Sequence, residues 1–416
     1  MSLMQKLNGK ALRMGVPLSV HLDITYRCNE RCEHCYLDHD DHGELTTAEI
    51  RTLLRDLAQA NVFFLVISGG EPLIRPDCFE IIEYARTLGF NVKLKTNAIL
   101  IREKEAQRLR ALGVEQVQIS VYSHRPEVHD AITKVPGSLK RTIAGIRLMR
   151  AAGLKVTLAN VLMRSNSGDG DGVREIAAEV GAHYTLDPTI TPMMDGSTTV
   201  LQHRISRDEL RAVFSDSTLV GDAESFCAPP PPVDDEIREG LPCSAGHTAC
   251  YVSPYGDVYP CVQFPLACGN IRQQKFLDVW RDSPQFAEVR SIRGKDLTTC
   301  SSCTHLGTCT RCPGLAYMEG NMRGPSTADC EKSFVRTGIP TAGMLARAST
   351  GQSIQRSVPG LVQIRSLRIS YFELRSPKCL APYSFLYAAI ASAMIGKACD
   401  EGWMWSTCTS FRSSFL

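Results

Sequence analysis

Cys28-Asn29-Glu30-Arg31-Cys32-Glu33-His34-Cys35 is the stretch from which the rest of the chain is read. Its three thiols, in C-x3-C-x2-C spacing, follow the apolar run Leu18–Ile24. They are therefore expected on a loop at the C-terminal end of a strand, where α/β barrels keep their chemistry. Three cysteines this close can surround one metal centre, and thiolates are the ligands of iron–sulfur clusters. A cube of four irons needs four ligands. Three protein thiols leave one iron open, and an open position distinguishes a reactive metal site from a closed structural one. Zinc is the competing reading; it needs a fourth Cys or His, which His34, His39 or His42 would supply.

Two further stretches bear on the choice. Gly69-Gly70-Glu71-Pro72 follows the apolar run Val62–Ile67, and Ile119-Ser120 falls in the run Gln116–Val121. With the triplet and these two in this order, the sequence resembles the radical S-adenosylmethionine (SAM) enzymes. The resemblance implies that Cys28, Cys32 and Cys35 hold a four-iron cluster whose open iron takes SAM. It further implies that Gly69, Gly70, Glu71 and Pro72 form the loop that holds the amino end of SAM, and that Ser120 is a SAM-contacting serine. Thr96-Asn97 resembles the pair that ends the third strand in this family, although Asn also favours turns by itself. His34 stands where relatives place an aromatic residue against the adenine. Where relatives carry an Arg after His129-Asp130, this chain has Lys134, which would meet the SAM carboxylate as a point charge rather than a fork. Gly69 and Gly70, read from the residues alone, form an ordinary βα turn in preference to a bare backbone that a ligand approaches; the cysteine triplet turns the choice toward the second.

The rhythm downstream supports a wound α/β domain. Thr46 and Glu49 form a capping box, and Ile50, Leu53, Leu54 and Leu57 recur at helical spacing over 46–60. Strands are expected at 18–24, 62–67, 91–96, 116–121, 155–162 and 183–187, separated by helices at 77–88, 101–112, 138–152 and 171–181. Crossover helices between strands imply a parallel sheet with right-handed connections. The family resemblance implies that it curls into a partial (β/α)6 TIM-like barrel.

Past residue 190 this rhythm weakens, and Pro229–Pro232 beside Asp234-Asp235-Glu236 marks a linker. Cys243, Cys250 and Cys261 follow, then Cys300-x2-Cys303-x5-Cys309-x2-Cys312 and Cys330. By itself the Cys300 to Cys312 set reads as a zinc ribbon or knuckle. In the company of the first triplet it resembles the SPASM domain, a small cysteine-rich extension with two auxiliary iron–sulfur clusters. That likeness implies one cluster on Cys243, Cys250, Cys261 and Cys312, and another on Cys300, Cys303, Cys309 and Cys330. The other six of the seventeen cysteines are read as bystanders. Divisions are expected at 1–17 (an N-terminal extension), 18–225 (the radical SAM core), 226–340 (linker and SPASM domain) and 341–416 (a tail of unknown structure).

Composition excludes several functions. A formal charge of +2 from 46 basic and 44 acidic residues gives no reason to expect nucleic acid or an anionic membrane as partner. The first residues lack the apolar core and cleavage site of a secretory signal, so the cytoplasm is expected. In a reducing compartment seventeen cysteines are more naturally metal ligands than disulfides. The acidic run Asp38-His39-Asp40-Asp41-His42 is read as a solvated loop in preference to a metal site.

The family resemblance implies an enzyme that cleaves SAM to a 5′-deoxyadenosyl radical, fed by a flavodoxin- or ferredoxin-type reductant. Relatives with SPASM domains largely crosslink ribosomally made peptides, so a peptide substrate and a C–C or thioether crosslink are expected. Only about seventeen residues precede the first strand, so leader recognition is expected to need a separate leader-binding protein or another surface of this chain. The alternatives are tailoring of a tetrapyrrole or other small molecule, formylglycine formation in a sulfatase, and a non-catalytic iron–sulfur or zinc module. Val262, where the sulfatase branch has an Asp after the corresponding cysteine, lowers the formylglycine reading.

Overall fold

The computed structural model describes residues 3–350; most of the expected tail, with Cys379, Cys399 and Cys408, lies outside them. All six expected strands form: β1 (Ser19–Thr25), β2 (Phe64–Gly69), β3 (Asn91–Thr96), β4 (Gln116–Ser120), β5 (Val156–Val161) and β6 (His183–Asp187). They lie side by side in chain order and are all parallel. Between them run α2 (Thr47–Gln59), α3 (Cys78–Thr87), α4 (Glu103–Ala111), α5 (Pro126–Thr133), α6 (Ser138–Ala151) and α7 (Gly170–Glu179), after an N-terminal α1 (Leu3–Met14). The crossover pattern implied this parallel order, and the family resemblance the partial barrel.

The strands are two-faced, and that decides where the site can be. Val20, Leu22 and Ile24 of β1, Val92 and Leu94 of β3, and Val117 and Ile119 of β4 pack with helix residues such as Ile50, Leu53, Ile81 and Ile146 in the main apolar core. The alternating positions are polar: Ser19, His21, Asp23 and Thr25 on β1, Lys93 and Lys95 on β3, Gln116 and Gln118 on β4. Successive strand side chains point to opposite faces, so the apolar set faces the helices and the polar set lines the lumen. Parallel strands covered on both sides usually read as continuous apolar runs. This alternation marks a polar interior.

The capping box is present at the start of α2, where the Thr46 hydroxyl accepts from the Glu49 N–H and Glu49 bonds back to the Thr46 N–H. Ile50, Leu53, Leu54 and Leu57 are its buried stripe; each is worth roughly 1.5–3 kcal/mol of burial. Helix α1 was not expected from the basic N-terminus. Its Met4 and Ala11 pack with Leu18 and Phe64, at the N-terminal ends of β1 and β2.

The sheet also runs on past the barrel. β7 (Ala249–Val252) pairs in parallel with β1, His21 opposite Tyr251, and β8 (Asp257–Tyr259) and β9 (Gly269–Asn270) continue antiparallel. The nine-stranded order is β6-β5-β4-β3-β2-β1-β7-β8-β9. The cysteine-rich segment is thus bonded along the strand from whose end the first cysteine loop departs. A helix over Ala342–Thr350, at the start of the expected tail, lies against that segment: the Ala342 N–H donates to Cys303 Sγ at 3.4 Å.

Candidate metal and cofactor centre

The loop carrying Cys28, Cys32 and Cys35 leaves the C-terminal end of β1 and is pinned from several sides. The Arg31 and Glu33 N–H groups donate to the carbonyls of Thr133 and Ile132 at 3.0 Å each, so the end of α5 serves as its shelf. Glu44 holds its root, accepting from the Thr25 hydroxyl at 2.6 Å and the Tyr26 N–H at 2.9 Å. Asn97 Nδ2 donates to Asn29 Oδ1 at 2.6 Å. The Glu30 N–H points at Cys28 Sγ, 3.4 Å away, a bond that favours a thiolate.

Gly69 and Gly70 are needed here for a reason other than the one expected. A Cβ on Gly69, whose φ is +141°, would sit 2.0 Å from the Thr25 carbonyl oxygen; one on Gly70 would sit 2.4 Å from Arg27 O and 2.5 Å from Tyr26 O. The bare backbone lets the end of β2 close on the residues just before Cys28. Glu71 is fully buried and engaged: its carboxylate accepts from Thr96 Oγ1 at 2.8 and 2.9 Å, from the Asn97 N–H at 2.7 Å and from the Leu73 N–H at 3.0 Å. Burial raises its pKa to about 7 against those donors. Glu71, Thr96 and Asn97 therefore tie the mouth ends of β2 and β3 together. Pro72 is buried in the single 3-10 turn that follows.

His34 is turned edge-on to Tyr122, with ring centres 4.9 Å apart. Burial holds it neutral, with its pKa lowered to about 4. Ser120 ends β4, its hydroxyl bonded to the Tyr122 oxygen, and the Tyr122 hydroxyl donates to Cys32 Sγ at 3.8 Å. Lys134 is exposed in left-handed conformation at the end of α5, beside the shelf. The three histidines considered as a fourth zinc ligand separate: His39 Nε2 is 3.2 Å from Cys35 Sγ, His42 is bonded to Asp38, and His34 faces Tyr122.

The thiol arrangement suits a cluster better than a single zinc. A tetrahedral zinc draws its sulfurs to about 3.8 Å of one another. Among the described residues no three thiols come within 4.8 Å of each other; the group that does is Asp38, Asp40 and His42, in the acidic loop. Burial pushes Cys28 up to about 12, Cys35 up to about 11 and Cys32 well above the ordinary thiol value. A metal must therefore displace protons to load.

In the cysteine-rich segment the structure sorts the thiols into two groups. Cys300, Cys303, Cys309 and Cys330 line one cavity, and each of the other three raises the pKa of Cys300 electrostatically. Arg311 lines the same cavity with its Nη1 buried and without a partner. A guanidinium with a donor to spare is what a cavity for an anionic cluster offers. Cys243, Cys261 and Cys312 form the second group, with Cys243 and Cys312 both acting on Cys261.

Cys250 is not brought to that group. On β7 it shares the helix-facing side with Val252 in the main core, whereas Tyr251 between them faces the lumen with Tyr259 and the Cys261 and Cys312 side chains. The thiol nearest to it electrostatically is Cys268, and burial there raises its pKa. Strand alternation, not cysteine spacing, decides this.

Between the first loop and this second thiol group lies the lumen. Cys35, Cys261 and Cys312 all pack on one cluster that includes Tyr26, Tyr251 and Tyr259. Asp23 accepts from Tyr251 at 3.0 Å and bonds His21 at 2.8 Å, and the Tyr26 and Tyr251 hydroxyls are 2.6 Å apart. Lys95 faces Asp23, Asp187 and Cys261, and burial lowers its pKa to about 8. None of these lumen residues was singled out from the sequence, although the alternation S-V-H-L-D-I-T and N-V-K-L-K-T exposes them.

Comparisons with known proteins agree with this geometry. Residues 22–171 match the radical SAM superfamily, and residues 243–304 match the iron–sulfur cluster-binding SPASM domain. The chain is 32% identical to the PqqA peptide cyclase of Xanthomonas campestris pv. campestris, over 78% of this chain and 89% of the other. It is 29% identical to the AdoMet-dependent heme synthase of Methanosarcina barkeri, over 73% and 93% respectively. Among solved structures, Streptococcus suis SuiB bound to its precursor peptide SuiA superposes with a TM-score of 0.63 at 20% identity, over 78% of this chain and 79% of that one.

Proposed function

This chain belongs to the radical SAM superfamily, in the branch with a C-terminal SPASM domain, and we propose that it modifies a peptide by hydrogen abstraction, installing a C–C or thioether crosslink or a related oxidation. The observation that carries the reading is that Cys35 of the first loop and Cys261 and Cys312 of the second thiol group pack on one cluster of tyrosines, beside the polar inward faces of β1 and β3. The peptide-cyclase relative supports the substrate class. Its name describes that protein, and for this chain the peptide is the proposal.

Cys28, Cys32 and Cys35 would hold the first cluster, which with SAM would supply hydrogen abstraction by a 5′-deoxyadenosyl radical. The chain does the rest. Cys28, Cys32 and Cys35 present three thiolates on a loop fixed by α5, Glu44 and Asn97, leaving a position for SAM. Glu71, Thr96 and Asn97 keep the rim of the mouth rigid, which holds reacting groups in register. Ser120, His34 and Lys134 stand round the same rim, Lys134 as a point charge for a carboxylate. Asp23, with His21 and Tyr251, offers a buried acceptor for a proton leaving the substrate, and Cys243, Cys261 and Cys312 mark where the second electron would go. Cys300, Cys303, Cys309 and Cys330, with Arg311, would hold a closed cluster on the far side. A flavodoxin- or ferredoxin-type reductant supplies the first electron, and a separate protein or another surface of this chain holds the leader. Among the described residues no helix is long and apolar enough to cross a membrane.

The relative that makes heme favours a second reading, in which a tetrapyrrole fills the lumen. The two are separated by incubating reduced, anaerobic enzyme with SAM and either a peptide encoded beside the gene or a porphyrin. Loss of two hydrogens from the peptide, matched to 5′-deoxyadenosine, supports the proposal. Turnover of the porphyrin with the peptide unaltered overturns the substrate assignment.

A further inference from the structure

Tyr122 is buried at the end of β4 and belongs to no part of the mechanism above. Its hydroxyl is 3.8 Å from Cys32 Sγ, near enough for an O–H to sulfur bond. Four contacts fix it there. The ring meets His34 edge-on, centres 4.9 Å apart, and lies tilted on His129 at 5.5 Å. The Tyr122 N–H donates to His129 Nδ1 at 3.2 Å, which anchors the backbone of the same residue. Ser120 bonds the phenol oxygen from the other side. The phenol proton has Cys32 Sγ as its acceptor, and donors in series polarise one another.

From this we infer that Tyr122 is a positioning residue for the SAM-binding cluster: its hydroxyl donates to the Cys32 thiolate and raises the reduction potential of the cluster that Cys28, Cys32 and Cys35 hold. The physical reason is charge. Reduction adds an electron to an already anionic cluster, and a donor on a ligand sulfur stabilises the reduced form more than the oxidised one; hydrogen bonds to sulfur are among the main settings of cluster potential. The inference rests on the reading that these three cysteines hold an iron–sulfur cluster, and the packing of His34 and His129 gains a purpose from it. They aim the phenol.

The test is an EPR-monitored redox titration of the anaerobic holoenzyme, following the signal that disappears in the Cys28→Ala/Cys32→Ala/Cys35→Ala variant. Tyr122→Phe keeps the ring between His34 and His129 and removes the donor alone. Its midpoint should fall, by about 59 mV if the equilibrium constant for reduction drops tenfold, with iron content unchanged. A second variant has 3-fluorotyrosine at 122, a stronger donor of the same shape; its midpoint should rise. That opposite sign is one a merely structural role would not produce, and it decides the matter if Tyr122→Phe fails to retain the cluster. A midpoint unmoved in either variant, or moved the other way, overturns the inference while leaving the radical SAM reading intact. Absence of any signal dependent on the three cysteines would overturn both.

Discussion

Gly70→Ala tests how the mouth of the barrel is assembled. An added Cβ would meet Arg27 O at 2.4 Å, Tyr26 O at 2.5 Å and Arg27 C at 2.8 Å, all backbone atoms. Ordinary contact begins at 3.4 Å, so the two segments must part by about 1 Å, an overpacking that costs roughly 1–3 kcal/mol. The bonds that join them, Gly70 N–H to Thr25 O and Glu71 N–H to Arg27 O, are 2.9 Å each and would stretch. Because Arg27 precedes Cys28, the displacement is passed straight to the first ligand, and a shift of about 1 Å at a reacting centre can cost on the order of 100-fold. Deoxyadenosine formation, measured by chromatography beside the iron content and the denaturation midpoint, should therefore drop about 100-fold with a modest loss of stability. Gly89→Ala is the control: it too has a positive φ, +88°, but nothing lies within 4 Å of the new carbon. It should cost about 1 kcal/mol through backbone conformation and leave deoxyadenosine formation alone. Gly70→Ala with wild-type activity and stability would refute the reasoning.

Cys250→Ala should keep the full iron content of the anaerobically reconstituted protein, about twelve per chain for three four-iron clusters, whereas Cys243→Ala should lose iron; equal losses in both would put Cys250 back among the ligands. His129 is buried and neutral, with its pKa lowered to about 4 chiefly by desolvation. The unfolded chain therefore takes up the proton first, and stability falls as pH drops below about 6.5. Between pH 7.5 and 5.5 this residue should account for about 1.4 kcal/mol, and His129→Gln should flatten the denaturation profile by that amount; an unchanged slope would contradict the shift.

The alternating strands and helices were legible because their cues are local, whereas the barrel was implied by the family resemblance. Apolar runs of strand length alternate with helical periods, and Thr46 with Glu49 announces α2. The two thiol groups came from the family resemblance, since spacing alone would put Cys312 with Cys300, Cys303 and Cys309; Cys250 departs from that grouping because its face of β7 depends on a pairing with β1 more than two hundred residues away. That pairing is non-local and leaves no mark in the sequence. Gly69 and Gly70 were recognised as special positions, but the partner they approach is the chain's own backbone at Thr25 to Arg27. The signal for the lumen was present and unread: apolar runs were taken as strands without asking why every second residue of β1, β3 and β4 is polar. Helix α5, the shelf under the cysteine loop, begins at Pro126, a residue suited to a first helical turn.

The account is tested most directly by isotope transfer. Reduced enzyme would be given SAM and a candidate peptide fully deuterated at carbon, and the 5′-deoxyadenosine weighed by mass spectrometry. The account predicts one deuterium per deoxyadenosine, an equal amount of peptide lighter by the two hydrogen isotopes lost, and neither product from the Cys28→Ala/Cys32→Ala/Cys35→Ala variant. Deoxyadenosine without deuterium, beside an unaltered peptide, would contradict it.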